Sequence, residues 1–69
     1  MQIGMDVDKI KEKAKRLNPY RKPKIYLVDM GTAKRAIPVY TYKHTTDVLP
    51  LETGNLTRVK KEDIIRELS

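Results

Sequence analysis

The residues best suited to chemistry lie together near the middle of the chain, in the sequence IPVYTYKHTTD at residues 37–47. This segment carries the chain's single histidine, His44, and a carboxylate three residues later, Asp47. An imidazole that a carboxylate orients can act as general base or acid, and a cation such as Lys43 or Arg35 could stabilise a phosphorane, as in a small ribonuclease. The alternative is a surface histidine at a strand end, hydrogen-bonded to a threonine or to Asp47.

The surroundings of His44 argue against catalysis. On a strand, His44 and Lys43 point to opposite faces. The chain has one histidine and no cysteine, which excludes the usual Cys/His zinc ligand sets, and it offers no well-placed pair of carboxylates. Its three glycines lie far apart, so there is no glycine-rich phosphate loop. We therefore expect a protein that is not an enzyme and that needs no metal and no cofactor.

Tyr40 and Tyr42 are two residues apart, so on a strand their rings share one face. Such a pair can stack nucleic-acid bases, and Lys43 and Arg35 would add cations to this second contact on the sheet. The alternative is packing, because a chain without phenylalanine or tryptophan has to build part of its core from other residues. The sequence leaves open whether the two rings lie in the core or on the surface.

Positive charge is concentrated at the N-terminal end of the chain. The formal net charge is +6 over 69 residues. Residues 1–24 hold eight lysines and arginines against three acids, whereas residues 25–69 hold seven against six. A field of this sign attracts polyanions such as nucleic acid, an anionic membrane surface or an acidic protein face. The basic character therefore belongs to the first third of the chain.

Residues 5–17 predict an amphipathic helix, because one narrow apolar seam repeats every three or four residues and lysines fill the other faces. The helix is expected to end at Asn18 and Pro19, and residues 18–23 to form an extended connector. Cations spread over a helix and its exit loop can contact several phosphates along a groove. We expect these phosphate contacts from Lys9, Lys13, Arg16, Arg21, Lys22 and Lys24.

This basic segment predicts a small nucleic-acid-binding module, with DNA and RNA both open as the ligand. The same lysines could instead only keep a small protein in solution. A second alternative is an assembly module that docks on an acidic protein and pairs its strand edges with a neighbour, which includes a homodimer. A small ribonuclease is the third. The seam lacks the aromatic residues that interfacial helices insert, and the apolar runs are short, so we expect a cytoplasmic protein without membrane contact.

The rest of the pattern predicts one small α+β domain over residues 1–69, with residues 1–4 frayed. Strands are predicted at residues 24–30, 36–44, 48–51 and 56–59. The first strand is apolar on both faces, so we expect it to be central in the sheet. Pro38 cannot donate a hydrogen bond, so it predicts an edge or a bulge in the second strand.

The C-terminal residues 60–69 predict a short helix whose inward side carries Ile64, Ile65 and Leu68. The expected architecture is therefore an N-terminal helix, a small antiparallel sheet of three or four strands and a short C-terminal helix. This order fits a layer with helices on one face, as in double-stranded-RNA-binding-like folds. It also fits an SH3-like barrel with helical ends.

Overall fold

A computed structural model describes residues 7–68 of the chain as one helix, one 3₁₀ turn and five strands. The residues expected to be frayed, 1–4, and the first two residues of the predicted helix lie outside this range. The helix is α1 (Val7–Leu17), and the strands are β1 (Tyr26–Asp29), β2 (Ala33–Thr41), β3 (Thr45–Pro50), β4 (Thr57–Lys60) and β5 (Ile64–Glu67). The 3₁₀ turn, Lys61–Asp63, joins β4 to β5.

The five strands form one sheet in the order β4-β3-β2-β1-β5, and every neighbouring pair is antiparallel. The first strand, β1, is an interior strand between β2 and the edge strand β5, whereas the predicted central position is occupied by β2. Both faces of β1 are used. Ile25, just before β1, packs on the side covered by the helix, and Val28 is buried on the other side.

Helix α1 packs on one face of the sheet through its apolar seam. Ile10 and Ala14 are buried there against residues of β2 and β3, and Val7 lies beside them. This helix-side cluster contains Ile10, Ala14, Ile37, Val39, Leu49 and Leu51. An isolated helix of eleven residues is marginal in water, so the sheet stabilises the helix through this burial.

The opposite face of the sheet encloses a second, inner cluster. Val28, Ala36 and Val48 are fully buried in it. Val59 from β4 and Ile64 from β5 both pack against this cluster, although β4 and β5 are the two edges of the sheet. The sheet therefore curls, and the three residues between the two edge strands span the distance that remains.

Pro38 lies at a bulge. Its missing N–H predicts either an edge strand or a bulge, and the structure shows the bulge. The register of β2 against β3 shifts between Pro38 and Tyr40, while β2 itself is an interior strand. Val39 and Tyr40 both pack on the helix-side cluster although they are adjacent in sequence. The bulge therefore changes which residues face the helix, and β2 ends at Thr41, three residues before the predicted end.

The predicted C-terminal helix and the predicted number of strands are both wrong. Residues 64–67 form β5 instead, paired with β1, and the N–H of Leu68 donates to the carbonyl of Ile25 at 2.7 Å. Without β5, the outer edge of β1 would have no partner for its backbone groups. The sheet thus has five strands, and the only helical turn at this end of the described chain is the 3₁₀ turn.

No helix within residues 7–68 has the length and apolar character needed to cross a membrane.

Candidate nucleic-acid interface

Three of the predicted phosphate contacts form a stripe along one flank of α1. Lys9, Lys13 and Arg16 are four and three residues apart, and at about 100° per residue they lie on the same side of the helix, next to the buried seam. All three side chains are exposed. Lys13 Nζ donates to the carbonyl of Gly54 at 2.7 Å, which holds the middle of the stripe against the β3–β4 turn.

The other flank of the helix has a different composition. It carries Lys11 and Lys15 with Asp8 beside them, while Glu12 lies between the two flanks, one helical turn from Lys9 and from Arg16. No ion pair joins a lysine or arginine of α1 to a carboxylate within residues 7–68. The stripe of Lys9, Lys13 and Arg16 therefore keeps its positive charge exposed to solvent.

Hydrogen bonds fix the end of the helix and the connector on the sheet. Asn18 Nδ2 donates to the carbonyl of Val39 at 2.7 Å, and Tyr40 Oη donates to the carbonyl of Leu17 at 2.7 Å. Arg21 Nη1 donates to Thr41 Oγ1 at 2.6 Å. These bonds fix the backbone of the connector that carries its cations.

The two lysines of the connector differ in their surroundings. Lys22 is exposed and makes no ion pair with the described residues, whereas Lys24 Nζ lies 3.7 Å from Glu67 Oε1. Both members of that pair are about half exposed, and such pairs contribute little, roughly 0–1 kcal/mol. Lys24 therefore remains accessible to a phosphate that competes with Glu67.

Tyr20 is the residue of this region that sequence reasoning did not place in the site. Its side chain is 98% exposed, and it stands between Arg16 and Lys22 in the chain. A free aromatic ring among cations is the arrangement that single-strand binders use to stack bases. The signal was present in the sequence NPYRKP, where the prolines on both sides of Tyr20 and Arg21 keep the ring out of any helix or strand.

The predicted second contact on the sheet is divided by the fold. Tyr40 is partly buried against the helix-side cluster, so its ring supports α1. Tyr42 is at the surface, 43% exposed, and Lys43 lies beyond the end of β2 in the turn to β3. Arg35 is exposed near the other end of β2, about 20 Å from Tyr42 along the strand. Tyr42 and Lys43, which are neighbours in the chain, are therefore separated from Arg35.

Tyr42 belongs to a hydrogen-bonded group with Asp47 and Arg58. Arg58 Nε donates to Asp47 Oδ1 at 2.9 Å, and Tyr42 Oη donates to Asp47 Oδ2 at 3.0 Å. The guanidinium carbon of Arg58 lies 4.9 Å from the centre of the Tyr42 ring, a cation–π contact. Asp47 and Arg58 stand opposite each other on β3 and β4, so the strand register sets this group.

The charges of this group shift its ionisation. The hydrogen bond from Arg58 holds the pKa of Asp47 below its ordinary value, and the bond from Tyr42 adds to this effect. The hydrogen bond to the Asp47 carboxylate raises the pKa of Tyr42, with desolvation as the second cause. Both carboxylate oxygens of Asp47 are engaged by these partners, and within residues 7–68 no hydrogen bond joins Asp47 to His44.

Arg58 was also missed by sequence reasoning, because its position beside Tyr42 follows from the pairing of β3 with β4. Within residues 7–68 there is no group of three or more histidine and acidic side chains that could hold a metal ion. No protein-family model matches this chain, and no curated protein or solved structure matches it either.

Proposed function

We propose that this protein is a small nucleic-acid-binding module, without catalysis, that contacts phosphates through α1 and the connector after it. The observation that supports this most is the stripe of Lys9, Lys13 and Arg16. It points to solvent, and within the described residues no carboxylate forms an ion pair with it. A polyanion can therefore approach these cations without displacing an internal carboxylate, although Lys13 also donates to the carbonyl of Gly54.

The stripe suits a phosphate backbone in its chemistry and its spacing. About one helical turn separates its members, a rise of about 4.5–6 Å, so the stripe presents its cations in a line along which several phosphates can be contacted. Lys22 continues the positive charge past the end of the helix. In the chain, Tyr20 lies between Arg16, the last cation of the stripe, and Lys22. The ligand is DNA or RNA, and a cytoplasmic location belongs to the same proposal.

The test is a fluorescence titration of labelled single-stranded and duplex DNA and RNA at 50 and 200 mM salt. Four phosphate contacts would weaken binding by about 50- to 150-fold between these two concentrations. The variant Lys9→Ala/Arg16→Ala removes two stripe cations, and Lys11→Ala/Lys15→Ala removes two from the other flank of the same helix. We expect the first to lower the salt slope by about 1.4 to 1.8 and the second to change it much less.

Two results would contradict the proposal. No binding of any of the four ligands at micromolar protein would remove it outright. Equal losses in the two double variants would show that only total charge matters, so that the stripe is not an interface. Lys9, Arg16 and Lys15 are exposed and Lys11 is partly buried, and the amide spectrum of each variant reports whether it is folded.

A second candidate function is docking on an acidic protein partner, or assembly with another copy of the chain. The observation that favours it is the pair of open edges, because β4 pairs only with β3 and β5 only with β1 among the described residues. An open edge can accept a further strand. A partner captured from an extract that survives nuclease treatment would support this candidate over nucleic acid.

A further inference from the structure

A second cationic region lies away from the helix stripe, where the β2–β3 turn meets the corner between β4 and the 3₁₀ turn. These two segments enclose an open cleft of about 450 Å³. Lysines and a histidine dominate its walls. It is lined by Lys43, His44, Thr45, Lys60, Lys61 and Glu62.

The end of β2 explains why Lys43 and His44 share this cleft. The sequence predicts both on a strand, where neighbours point to opposite faces. In the structure β2 ends at Thr41, so both residues belong to the turn and line the same cavity. The expectation that they are separated by strand geometry is therefore wrong.

Backbone hydrogen bonds hold the two walls of the cleft together. The N–H of Lys61 donates to the carbonyl of His44 at 3.1 Å, and Thr45 is paired with Lys60 in the β3–β4 ladder. The N–H of Lys60 also donates to Asp63 Oδ2 at 3.3 Å. The three lysine side chains are exposed, and these bonds fix the relative positions of the two backbone segments that carry them.

The charge of the cleft is strongly positive. Lys43, Lys60 and Lys61 all line it, and Glu62 is the one carboxylate among its lining residues. None of these three lysines forms an ion pair within residues 7–68, with Glu62 or with any other acid. Three lysines that line one cavity place like charges close to one another, and an anion between them relieves that repulsion.

We propose that this cleft binds a phosphate or pyrophosphate group carried by a nucleotide or by the end of a nucleic-acid strand. The three lysines supply charge, and the Thr45 hydroxyl and the His44 imidazole supply hydrogen-bonding groups. The cavity falls within the range of about 300–1,000 Å³ typical of small-ligand sites. This site goes beyond the proposed function, since it uses none of the residues of the helix stripe.

The experiment follows backbone amide shifts of the full chain while sodium pyrophosphate is added. We expect saturable shifts confined to residues 43–45 and 60–62. The variant Lys43→Ala/Lys61→Ala removes two exposed lysines of the cleft and should weaken pyrophosphate binding at least tenfold. The matched control Lys11→Ala/Lys15→Ala removes the same charge from α1 and should change it less than twofold.

Shifts that do not saturate, shifts spread over all basic residues, or equal effects of the two variants would each overturn the proposal. The source of the phosphate is then identified with three probes: a nucleoside diphosphate, a short oligonucleotide with a 5′-phosphate, and the same oligonucleotide with a 5′-hydroxyl. Tighter binding of the phosphorylated oligonucleotide supports recognition of a strand end. Binding of the diphosphate alone supports a free nucleotide as ligand.

Discussion

Tyr20 is the residue whose exposure is hardest to explain by folding, because its side chain is 98% accessible and makes no contact that would stabilise the domain. Among residues 7–68, its one hydrogen bond is made by the backbone N–H, which donates to Asn18 Oδ1 at 3.3 Å. Exposing the apolar ring to water is unfavourable, and no packing contact within the domain compensates for it. Stacking on a base would give it a role.

Replacing Tyr20 by alanine should weaken binding of single-stranded nucleic acid by roughly 5- to 150-fold, the range for loss of one stacked base. Tyr20→Phe keeps the ring and should bind within about twofold of the original chain. Thermal unfolding should be the same for all three proteins, because the side chain packs on nothing. If Tyr20→Ala binds as tightly as Tyr20→Phe, the ring does not stack on the ligand.

Asp47 gives the domain a dependence on acidity. Arg58 and Tyr42 lower the pKa of Asp47 in the folded protein relative to the unfolded chain. A carboxyl of this kind stabilises the fold above its unfolded pKa, near 3.8, and that contribution is lost as the pH falls through the lower folded pKa. Urea unfolding should therefore show a free energy of unfolding that decreases from pH 5 towards pH 2.

The variant Asp47→Asn isolates this contribution from the other acids. It should be less stable than the original chain at pH 7, and the difference should shrink as the pH falls below the unfolded pKa of Asp47, near 3.8. The variant should also lower the pKa of Tyr42, followed by NMR of its ring carbon, because the carboxylate that raises this pKa is gone. A difference in stability that stays constant with pH would contradict the assignment.

Strand β5 is the element where local pattern and fold disagree. Ile64, Ile65 and Leu68 have spacings that suit one face of a helix, and residues 60–69 are rich in lysine and glutamate, which favour helices. In the fold only Ile64 turns inward, while Ile65 is 53% exposed and Leu68 is exposed as well. The open edge of β1 decides the outcome, since it offers backbone hydrogen bonds that outweigh a small difference in propensity.

The two conformations make different predictions for a pair of adjacent isoleucines. In the strand, Ile64→Ala should cost about 1–2 kcal/mol, since the residue is half buried against the inner cluster, and Ile65→Ala should cost less than about 0.5 kcal/mol. In a helix with both residues inward, the two costs would be similar. Urea unfolding of the two single variants measures the difference, and equal losses would contradict the strand.

The elements predicted correctly from the sequence are those whose structure follows from the local spacing of apolar residues and from helix-ending residues. The helix is fixed by its seam and by Asn18 and Pro19, and the interior position of β1 agrees with its two apolar faces. The stripe on α1 could also be found from spacing alone. The group of Tyr42, Asp47 and Arg58 could not, because it depends on which strands pair and in which register, and neither can be obtained from one sequence.

At the scale of the whole molecule, the unpaired cations outnumber the internal ion pairs. Three ion pairs exist within residues 7–68, and all have at least one well-exposed partner. The helix stripe and the β2–β3 turn add cations that form no ion pair with an acid in this described part of the chain. A chain with a net charge of +6 therefore folds against its own repulsion, which both proposed phosphate sites would relieve on binding.

This repulsion sets the sign of the salt effect on stability. Salt screens the repulsion between unpaired cations, which favours folding, and it also screens the three ion pairs, which opposes folding by at most a few tenths of a kcal/mol for each exposed pair. Because the unpaired cations are more numerous, sodium chloride should raise the free energy of unfolding, by on the order of 1 kcal/mol between 10 and 200 mM. Urea unfolding measures this change in the free energy of unfolding, because urea is uncharged and does not alter the ionic strength.

The double variant Lys9→Ala/Arg16→Ala provides the control, since it removes two of the cations that repel each other. The difference between its free energies of unfolding at 10 and 200 mM salt should be smaller than the same difference for the original chain. A free energy of unfolding that falls with salt would mean that attractive pairs outweigh repulsion. The positive charge would then be internally compensated, and the reason to expect a polyanion as partner would be lost.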